Sequence, residues 1–235
     1  MIKLLNIPKN VNTNFSIDNF IIIEMLGINN WGDIHKICEI ETDQKYYSNS
    51  INKNIIIDKN IFLEQIQNQL NISDNPYIHK IEGIIENNDY IYILYEYHDL
   101  HLKELIKEWD KIDLQVKIGI FSNIVHSINV CHNNNITHMN ILIDSIYIDS
   151  QGTACLSDFS LSCYNLSQNN LKQNISIDCY ALGRLFQILF SNLDENDIHI
   201  SFQELYNIEQ ALLVNEPNNR WDTNILLNYL AMIGY

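Results

Sequence analysis

The stretch Ile136-Thr137-His138-Met139-Asn140-Ile141-Leu142-Ile143-Asp144-Ser145 runs into two short β-like pieces, Tyr147-Ile148 and Ala154-Cys155-Leu156. It ends at Ser157-Asp158-Phe159-Ser160. Just upstream, residues 113–133 carry Ile120, Ile124 and Ile128 on one helical stripe, with Phe121 and Val125 beside it. Downstream, helices are predicted over 178–191, 202–214 and 222–233, the last introduced by Pro217 and capped near Asp222. Farther upstream the pattern turns to strands. Residues 19–26 form a β-rich run ending at Gly27, Ile34 to Ile40 a second and Lys45 to Ile51 a third. Two more flank the turn-like Glu86-Asn87-Asn88-Asp89, and a helix over 60–71 places Phe62, Ile66 and Leu70 on one face. A strand-rich first third followed by a helix-rich remainder predicts two lobes rather than an alternating βαβ sheet.

The chain has 235 residues, 46% hydrophobic and 18% charged, which excludes a disordered or fibrous composition and suffices for one core or two small lobes. Its formal net charge of −15 sets it against phosphate backbones and anionic lipid, so neither nucleic acid nor a membrane surface is an expected partner. Met1-Ile2-Lys3-Leu4-Leu5-Asn6, interrupted by Pro8 and Lys9, does not read as a signal peptide, and no run has the apolar length of a bilayer span. The five cysteines Cys38, Cys131, Cys155, Cys163 and Cys179 contain no CxxC pair. They read as small buried thiols in a reducing, cytoplasmic compartment rather than as metal ligands. Glu96-Tyr97-His98-Asp99 and Asp194-Glu195-Asn196-Asp197 read as solvated acidic edges. Trp31 sits where a loop tip could present it to a partner, whereas Trp221 is expected to pack in the core.

Taken in order, the motifs resemble the eukaryotic-type protein kinase family along essentially the whole chain. Leu26-Gly27-Ile28-Asn29-Asn30-Trp31-Gly32 is similar to its glycine-rich loop, with Asn29 in place of the middle glycine. Tyr92 to Tyr97 resembles the last N-lobe strand and hinge, and Ile136 to Asn140 the entry to the catalytic loop. Ser157-Asp158-Phe159-Ser160 resembles the Asp-Phe-Gly segment with Ser160 for its glycine. Ser176 to Gly183 resembles the start of the long central C-lobe helix, and Pro217-Asn218-Asn219-Arg220 the late Pro-x-x-Arg signature. Asp158 follows Asn140 by 18 positions, similar to the family's spacing between its catalytic and metal-binding aspartates, so no gap is needed. The resemblance implies an α+β, bilobal protein kinase-like fold with a small β-rich N-lobe and a larger helical C-lobe. It implies one domain over 1–235, with the N-lobe at about 1–96 and the C-lobe at about 97–235.

Carried over residue by residue, the catalytic positions are degenerate. Asn140 stands where the family's catalytic carboxylate accepts a proton, and an amide has no basic lone pair; losing a general base costs about 10²–10⁴ in rate. Leu142 replaces the loop lysine and Ser145 the metal-binding asparagine. Asn49 falls at the phosphate-binding lysine, and that lysine's helix partner falls at Gln65 or, one residue off, Glu64. Lys45 and Lys53 share strand parity with Asn49 but lie several residues away. Asp158 keeps a carboxylate, read either as residual Mg²⁺ or Mn²⁺ coordination or, as favoured here, as a polar residue held by backbone at a tight turn. His138 reads as a structural buttress of the loop.

The nucleotide pocket, Gly27, Gly32, Tyr47, Tyr95, Glu96, Tyr97 and Tyr147 by resemblance, is expected to be vestigial. The phenols Tyr47, Tyr95 and Tyr147 would fill an adenine cavity themselves, since interiors leave few voids. No cofactor is therefore expected, with residual ATP and Mg²⁺ binding as the alternative. From Asp158 to Asp178 there are 20 positions without an Ala-Pro-Glu-like triplet, so the activation segment is short and Arg220 lacks its glutamate, leaving Glu204, Glu209 or water. The segment still holds Ser162, Tyr164 and Ser167, without a ready mechanism of activation by phosphorylation. The resulting expectation is a pseudokinase, a non-catalytic regulatory or scaffolding protein with a protein partner, a true kinase among the candidates. The alternative is an atypical ATP-dependent phosphotransferase or other nucleotide-using transferase, with Asp144 as the loop carboxylate that could replace the base.

Overall fold

A computed structural model describes residues 1–165, 167–191 and 202–235, which form two compact units. The first comprises Met1–Tyr97 together with Asp158–Leu161, the second His98–Ser157 with Ser162–Tyr235. The division thus falls one residue after the sequence-based boundary, and the short segment around Asp158 joins the first unit. The acidic run 194–197 lies outside the described residues.

In the first unit, β1 (Phe20–Ile28), β2 (Asp33–Glu39), β3 (Lys45–Asn52), β4 (Ile81–Glu86) and β5 (Tyr90–Glu96) make one antiparallel sheet in the order β1-β2-β3-β5-β4. Strand alternation sends Tyr46 to one face, where it meets Ile37, Ile85 and Leu94 and closes a T-shaped trio with Phe15 and Phe20. Its neighbours Tyr47 and Asn49 turn to the opposite face. Helix α1 (Lys59–Ile72) follows, started by Asp58, whose carboxylate accepts from Asn60 N–H and Ile61 N–H. Phe62, Ile66 and Leu70 are buried at the predicted i, i+4, i+8 spacing. The N-terminal segment covers the β4 edge: Asn12 N–H donates to Glu82 O at 2.8 Å, and Ile84 N–H donates to Asn12 O at 3.0 Å.

The second unit is built on α3 (Leu114–Asn133), preceded by β6 (Leu100–His101) and α2 (Leu102–Leu105). Asp113 caps α3, and Ile120, Phe121, Ile124, Val125 and Ile128 are its core positions. Next come β7 (Ile136–Thr137), β8 (Ile146–Ile148), β9 (Ala154–Leu156) and β10 (Cys163–Tyr164), then α4 (Gln168–Phe190), α5 (Phe202–Leu213) and α6 (Thr223–Met232). Two small sheets result, β6-β8-β9 and β7-β10. Leu182, Leu185, Phe186 and Leu189 of α4 pack with Ile208 and Leu212 of α5 and Leu226 and Leu230 of α6 into the α3 core. Trp221 lies against this core with its ring 4.9 Å from Tyr229.

One boundary differs from the sequence reading. Helix α4 begins at Gln168, ten residues before the expected start at Asp178. Aspartate is a poor helix-interior residue and a good cap, so the sequence points to a start there. Asp178 is instead fully buried in mid-helix, where tertiary hydrogen bonds override its local preference. Among the described residues no helix is long and apolar enough to cross a membrane.

Candidate functional site

In the first unit the turn between β1 and β2 folds over β3 and is held there by Asn29. Its side-chain oxygen accepts from Trp31 N–H at 3.0 Å and Gly32 N–H at 3.1 Å, an Asx turn that fixes the loop locally. Its amide nitrogen donates to Asn49 Oδ1 at 2.9 Å and to Asp158 Oδ1 at 3.1 Å. Asn49, buried on β3 between Ile34 and Ile93, uses its own amide nitrogen to donate to Asp33 O at 3.2 Å. A second tie runs alongside, from Asn30 Nδ2 to Ser160 Oγ at 3.1 Å. The loop is thereby fastened to the Asp158–Leu161 turn at two points.

Gly32 makes this closure feasible. Its φ is +151°, and a Cβ there would stand 2.3 Å from Ser50 O, so a side chain would push the loop off β3. At Gly27 a Cβ would meet nothing within 4 Å. Trp31 does not project to a partner as its loop-tip position suggested. It is buried, with its ring edge-on to Phe62 and its indole N–H donating to Gln65 Oε1 at 3.1 Å. Burying so large a ring outweighs its placement at a turn. Gln65 is therefore committed to Trp31, while Glu64 is exposed on α1. Lys53 pairs with Glu86 at 2.7 Å, and Lys45 lies over the Tyr97 ring, 5.6 Å from its centroid. Neither takes the role of a cation at Asn49.

On the same face, Tyr47 and Tyr95 are buried cross-strand partners. The Tyr95 hydroxyl donates to Gln69 Oε1 of α1 at 3.3 Å, and its ring stacks on His79 at 5.0 Å. The Tyr47 ring lies 5.2 Å from Tyr97, whose hydroxyl accepts from Lys36 Nζ at 2.6 Å. Glu96 has both main-chain groups in use: its N–H donates to Lys80 O at 3.0 Å, and its carbonyl accepts from His79 Nε2 at 2.8 Å. That bond fixes the proton of His79 on Nε2.

The second unit holds Asn140, Leu142, Ser145 and Tyr147. Asp178 of α4 anchors the two residues that lead into Asn140. Its carboxylate accepts from His138 N–H at 2.9 Å, Met139 N–H at 2.8 Å and His132 Nε2 at 3.0 Å. Those bonds hold Met139 at φ +64°, a conformation that costs a non-glycine residue about 1–3 kcal/mol. His138 Nε2 donates to Ser157 O at 2.9 Å, which leaves Nδ1 to accept from Asn140 N–H at 3.3 Å. Asn140 is thus held in position by the loop although its side chain is an amide. Leu142 is exposed. Ser145 is buried, and its hydroxyl closes the tight turn, donating to Leu142 O at 2.8 Å while accepting from Leu142 N–H at 3.2 Å. Asp144 pairs on the surface with Lys103 at 3.1 Å. Tyr147 is buried beside the edge of His101, ring centroids 4.6 Å apart.

Beyond Asp158, a 3₁₀ turn over Phe159–Leu161 leads to β10, and Asn165 pins the next residues by donating to Thr137 Oγ1 and Cys163 O, each at 3.1 Å. Helix α4 then starts at Gln168, so the segment available for a substrate platform is shorter still than the sequence implied. Arg220 is not left to Glu204 or Glu209. It donates to the carbonyls of Val214, Ser176 and Asn215 and lies 4.8 Å from the centre of the Tyr180 ring.

The model of the protein kinase domain matches residues 20–181. This chain belongs to the protein kinase family. Among curated proteins it is 26% identical over 167 residues to the carbon catabolite-derepressing protein kinase of Saccharomyces cerevisiae, covering 70% of this chain and 26% of that protein. To NUAK family SNF1-like kinase 2 of Rattus norvegicus it is 29% identical over 146 residues, 60% of this chain and 22% of the relative. Protein kinase 3 of Dictyostelium discoideum is 23% identical over 150 residues, 63% of this chain and 16% of that protein. The chain spans about a quarter or less of the length of these relatives. Its fold is the family's α+β, bilobal architecture, a β-sheet N-terminal lobe and a helical C-terminal lobe.

Kinase chemistry relies on ATP and Mg²⁺, and the donors present fit that pair poorly. Mg²⁺ is held by carboxylates and substrate phosphates at near-ideal octahedral geometry. Asp158 supplies one carboxylate, of which Oδ1 already accepts from Asn29, and the Ser145 hydroxyl is spent on its own turn. At the lysine position Asn49 offers no cation, and both ends of its amide are engaged. Sequence reasoning missed the part played by Asn29, noting it only as a lost glycine. Asx-turn chemistry in Asn29-Asn30-Trp31-Gly32 was a readable signal for the local bonds; partners 20 and 129 residues away were not.

Proposed function

We propose that this chain is a pseudokinase, a kinase-fold module that regulates or scaffolds through protein contacts, with a true kinase as the partner class, and that it works in the cytoplasm. The observation that carries this reading is the Asn29 amide bridging Asn49 and Asp158. Phosphoryl transfer is positioning plus neutralisation of phosphate charge. Here the two positions that would supply a cation and a metal ligand are joined by a neutral amide. Asn140 and Leu142 reinforce the reading, since no general base and no loop cation stand at the family's positions. The engaged main chain of Glu96 and the packed rings of Tyr47 and Tyr95 support a closed, vestigial nucleotide pocket.

Thermal-shift titration with ATP and either Mg²⁺ or Mn²⁺ tests the closed pocket, with no saturable rise in melting temperature expected. Incubation with radiolabelled ATP, for the protein and for Asp158→Ala, tests the chemistry. Incorporation that depends on Asp158 would overturn the pseudokinase reading and favour an atypical phosphotransferase.

A further inference from the structure

Strand β1 is an edge of its sheet, pairing with β2 and, among the described residues, with no other strand. The opposite edge, β4, is covered by the segment around Asn12. Along β1 the residues Ile21, Ile22, Ile23 and Met25 are 55%, 68%, 48% and 54% exposed. Three consecutive exposed isoleucines mean that both faces of the strand are open, because alternate side chains leave opposite faces. Scattered exposed apolar residues are ordinary; a contiguous strip on an unpaired edge is the surface that natural sheets blunt with lysine, proline or a covering segment. Here two irregularities in the β1–β2 register and Glu24 are the defences, and the first of them falls only after Ile22.

On balance the surroundings of the strip are acidic. Asp18 precedes β1, Glu24 lies within it, and Glu39, Glu41 and Asp43 stand at the far end of β2 and in the turn beyond, against Lys36 opposite Glu24 on β2 and Lys45 at the start of β3, in a chain of net charge −15. A second copy would bring an identical acidic rim against this one, and like charges across an interface disfavour the pairing. An extended segment with alternating apolar side chains and lysine or arginine between them meets both features. Its main chain would complete the open edge, its apolar side chains would cover the isoleucines, and its cations would face the rim.

We propose that the β1 edge, centred on Ile21, Ile22 and Ile23, is a docking site for an extended, basic, apolar-alternating segment of a partner protein, which binds by adding a strand. The proposal deepens the protein-contact reading above by naming the surface and the chemistry of its partner. It is tested separately, since peptide docking at β1 is measured without nucleotide and does not depend on the ATP experiments.

Fluorescence anisotropy with three labelled peptides provides the test: one alternating valine and lysine, one alternating valine and glutamate, and an alanine-rich helical peptide of the same positive charge. The expected result is saturable binding of the valine–lysine peptide at least about tenfold tighter than either control. Slowed hydrogen exchange confined to β1 and its partner strand should accompany it. The Ile21→Lys/Ile22→Lys variant should lose this binding about tenfold or more while melting with the parent, since both side chains already face water. Equal binding of the helical peptide would reduce the effect to net charge and overturn strand addition. Failure of the valine–lysine peptide to bind would overturn the site. A dimer in light scattering that Ile22→Lys dissociates would place a second copy there and overturn the assignment of the occupant.

Discussion

The bridge made by Asn29 can be probed by two replacements that differ only in what they put beside Asp158. Asn29→Ala removes four hydrogen bonds, three to neutral groups and one to a carboxylate. At about 0.5–1.5 kcal/mol for each neutral bond and about 1.5–3 kcal/mol for the charged one, about 3–7.5 kcal/mol bounds the loss. Asn29 is half-buried and water can replace part of this, so about 2–4 kcal/mol is the expected cost. For a chain of this size that is a fall in melting temperature of roughly 5–15 °C. Asn29→Asp keeps an acceptor for Trp31 N–H and Gly32 N–H but loses the donor and sets a second carboxylate at the 3.1 Å contact with Asp158. The repulsion lies between about 1 kcal/mol in a water-like medium and about 5 kcal/mol at an effective dielectric near 20. Asn29→Asp should therefore melt below Asn29→Ala at neutral pH. Differential scanning calorimetry at neutral pH reads both effects. Asn29→Ala melting within about 1 °C of the parent, or Asn29→Asp no worse than alanine at neutral pH, would refute the bridge as a structural tie.

Three further outcomes follow from other contacts. Asp178→Asn keeps the volume but removes the charge that three donors share, so a loss of about 3–5 kcal/mol is expected in chemical denaturation; full stability would show that the loop does not hang on this carboxylate. Gly32→Ala should lower the melting temperature and loosen the loop, seen as increased fluorescence exposure of Trp31, because its Cβ would collide with Ser50 O; an unchanged spectrum would contradict the closure over β3. Burial would raise the Glu86 carboxyl, but hydrogen bonds from Lys53 and the N-terminal ammonium, with the Ile2 N–H, outweigh it and bring the pKa from 4.5 to about 2. A depressed carboxylate stabilises above its unfolded pKa, and that stabilisation is lost as pH falls through the folded value. Glu86→Gln should accordingly be less stable than the parent at neutral pH and converge with it between pH 4.5 and about 2, as followed by circular dichroism; a constant offset across that window would exclude the linkage.

Much of the fold was legible because its signals are local. The spacing of Phe62, Ile66 and Leu70, the stripe Ile120, Ile124 and Ile128, and the β-rich runs on either side of Gly27 each depend on neighbours within a few residues. Helix α4 was misplaced at its start because the preference of Asp178 for a cap is local, while the bonds that bury it come from residues 39 to 46 positions away. Trp31 was ambiguous for the same reason, since its burial rests on Phe62 and Gln65 of α1.

The sequence by itself determined which groups stand at the positions singled out: amides at Asn49 and Asn140, an aliphatic chain at Leu142, a hydroxyl at Ser145 and a carboxylate at Asp158. Residue identity alone fixes whether a side chain can be a base, a cation or a ligand. Only the tertiary structure decided what those side chains contact. It brought Asn29 across 20 residues to Asn49 and across 129 to Asp158, and it turned Asn30 toward Ser160. Two departures from glycine, at Asn29 and Ser160, thereby became parts of one set of ties. Hydrogen bonds form between groups that folding makes neighbours, and that adjacency is a property of the packed chain, not of any stretch along it.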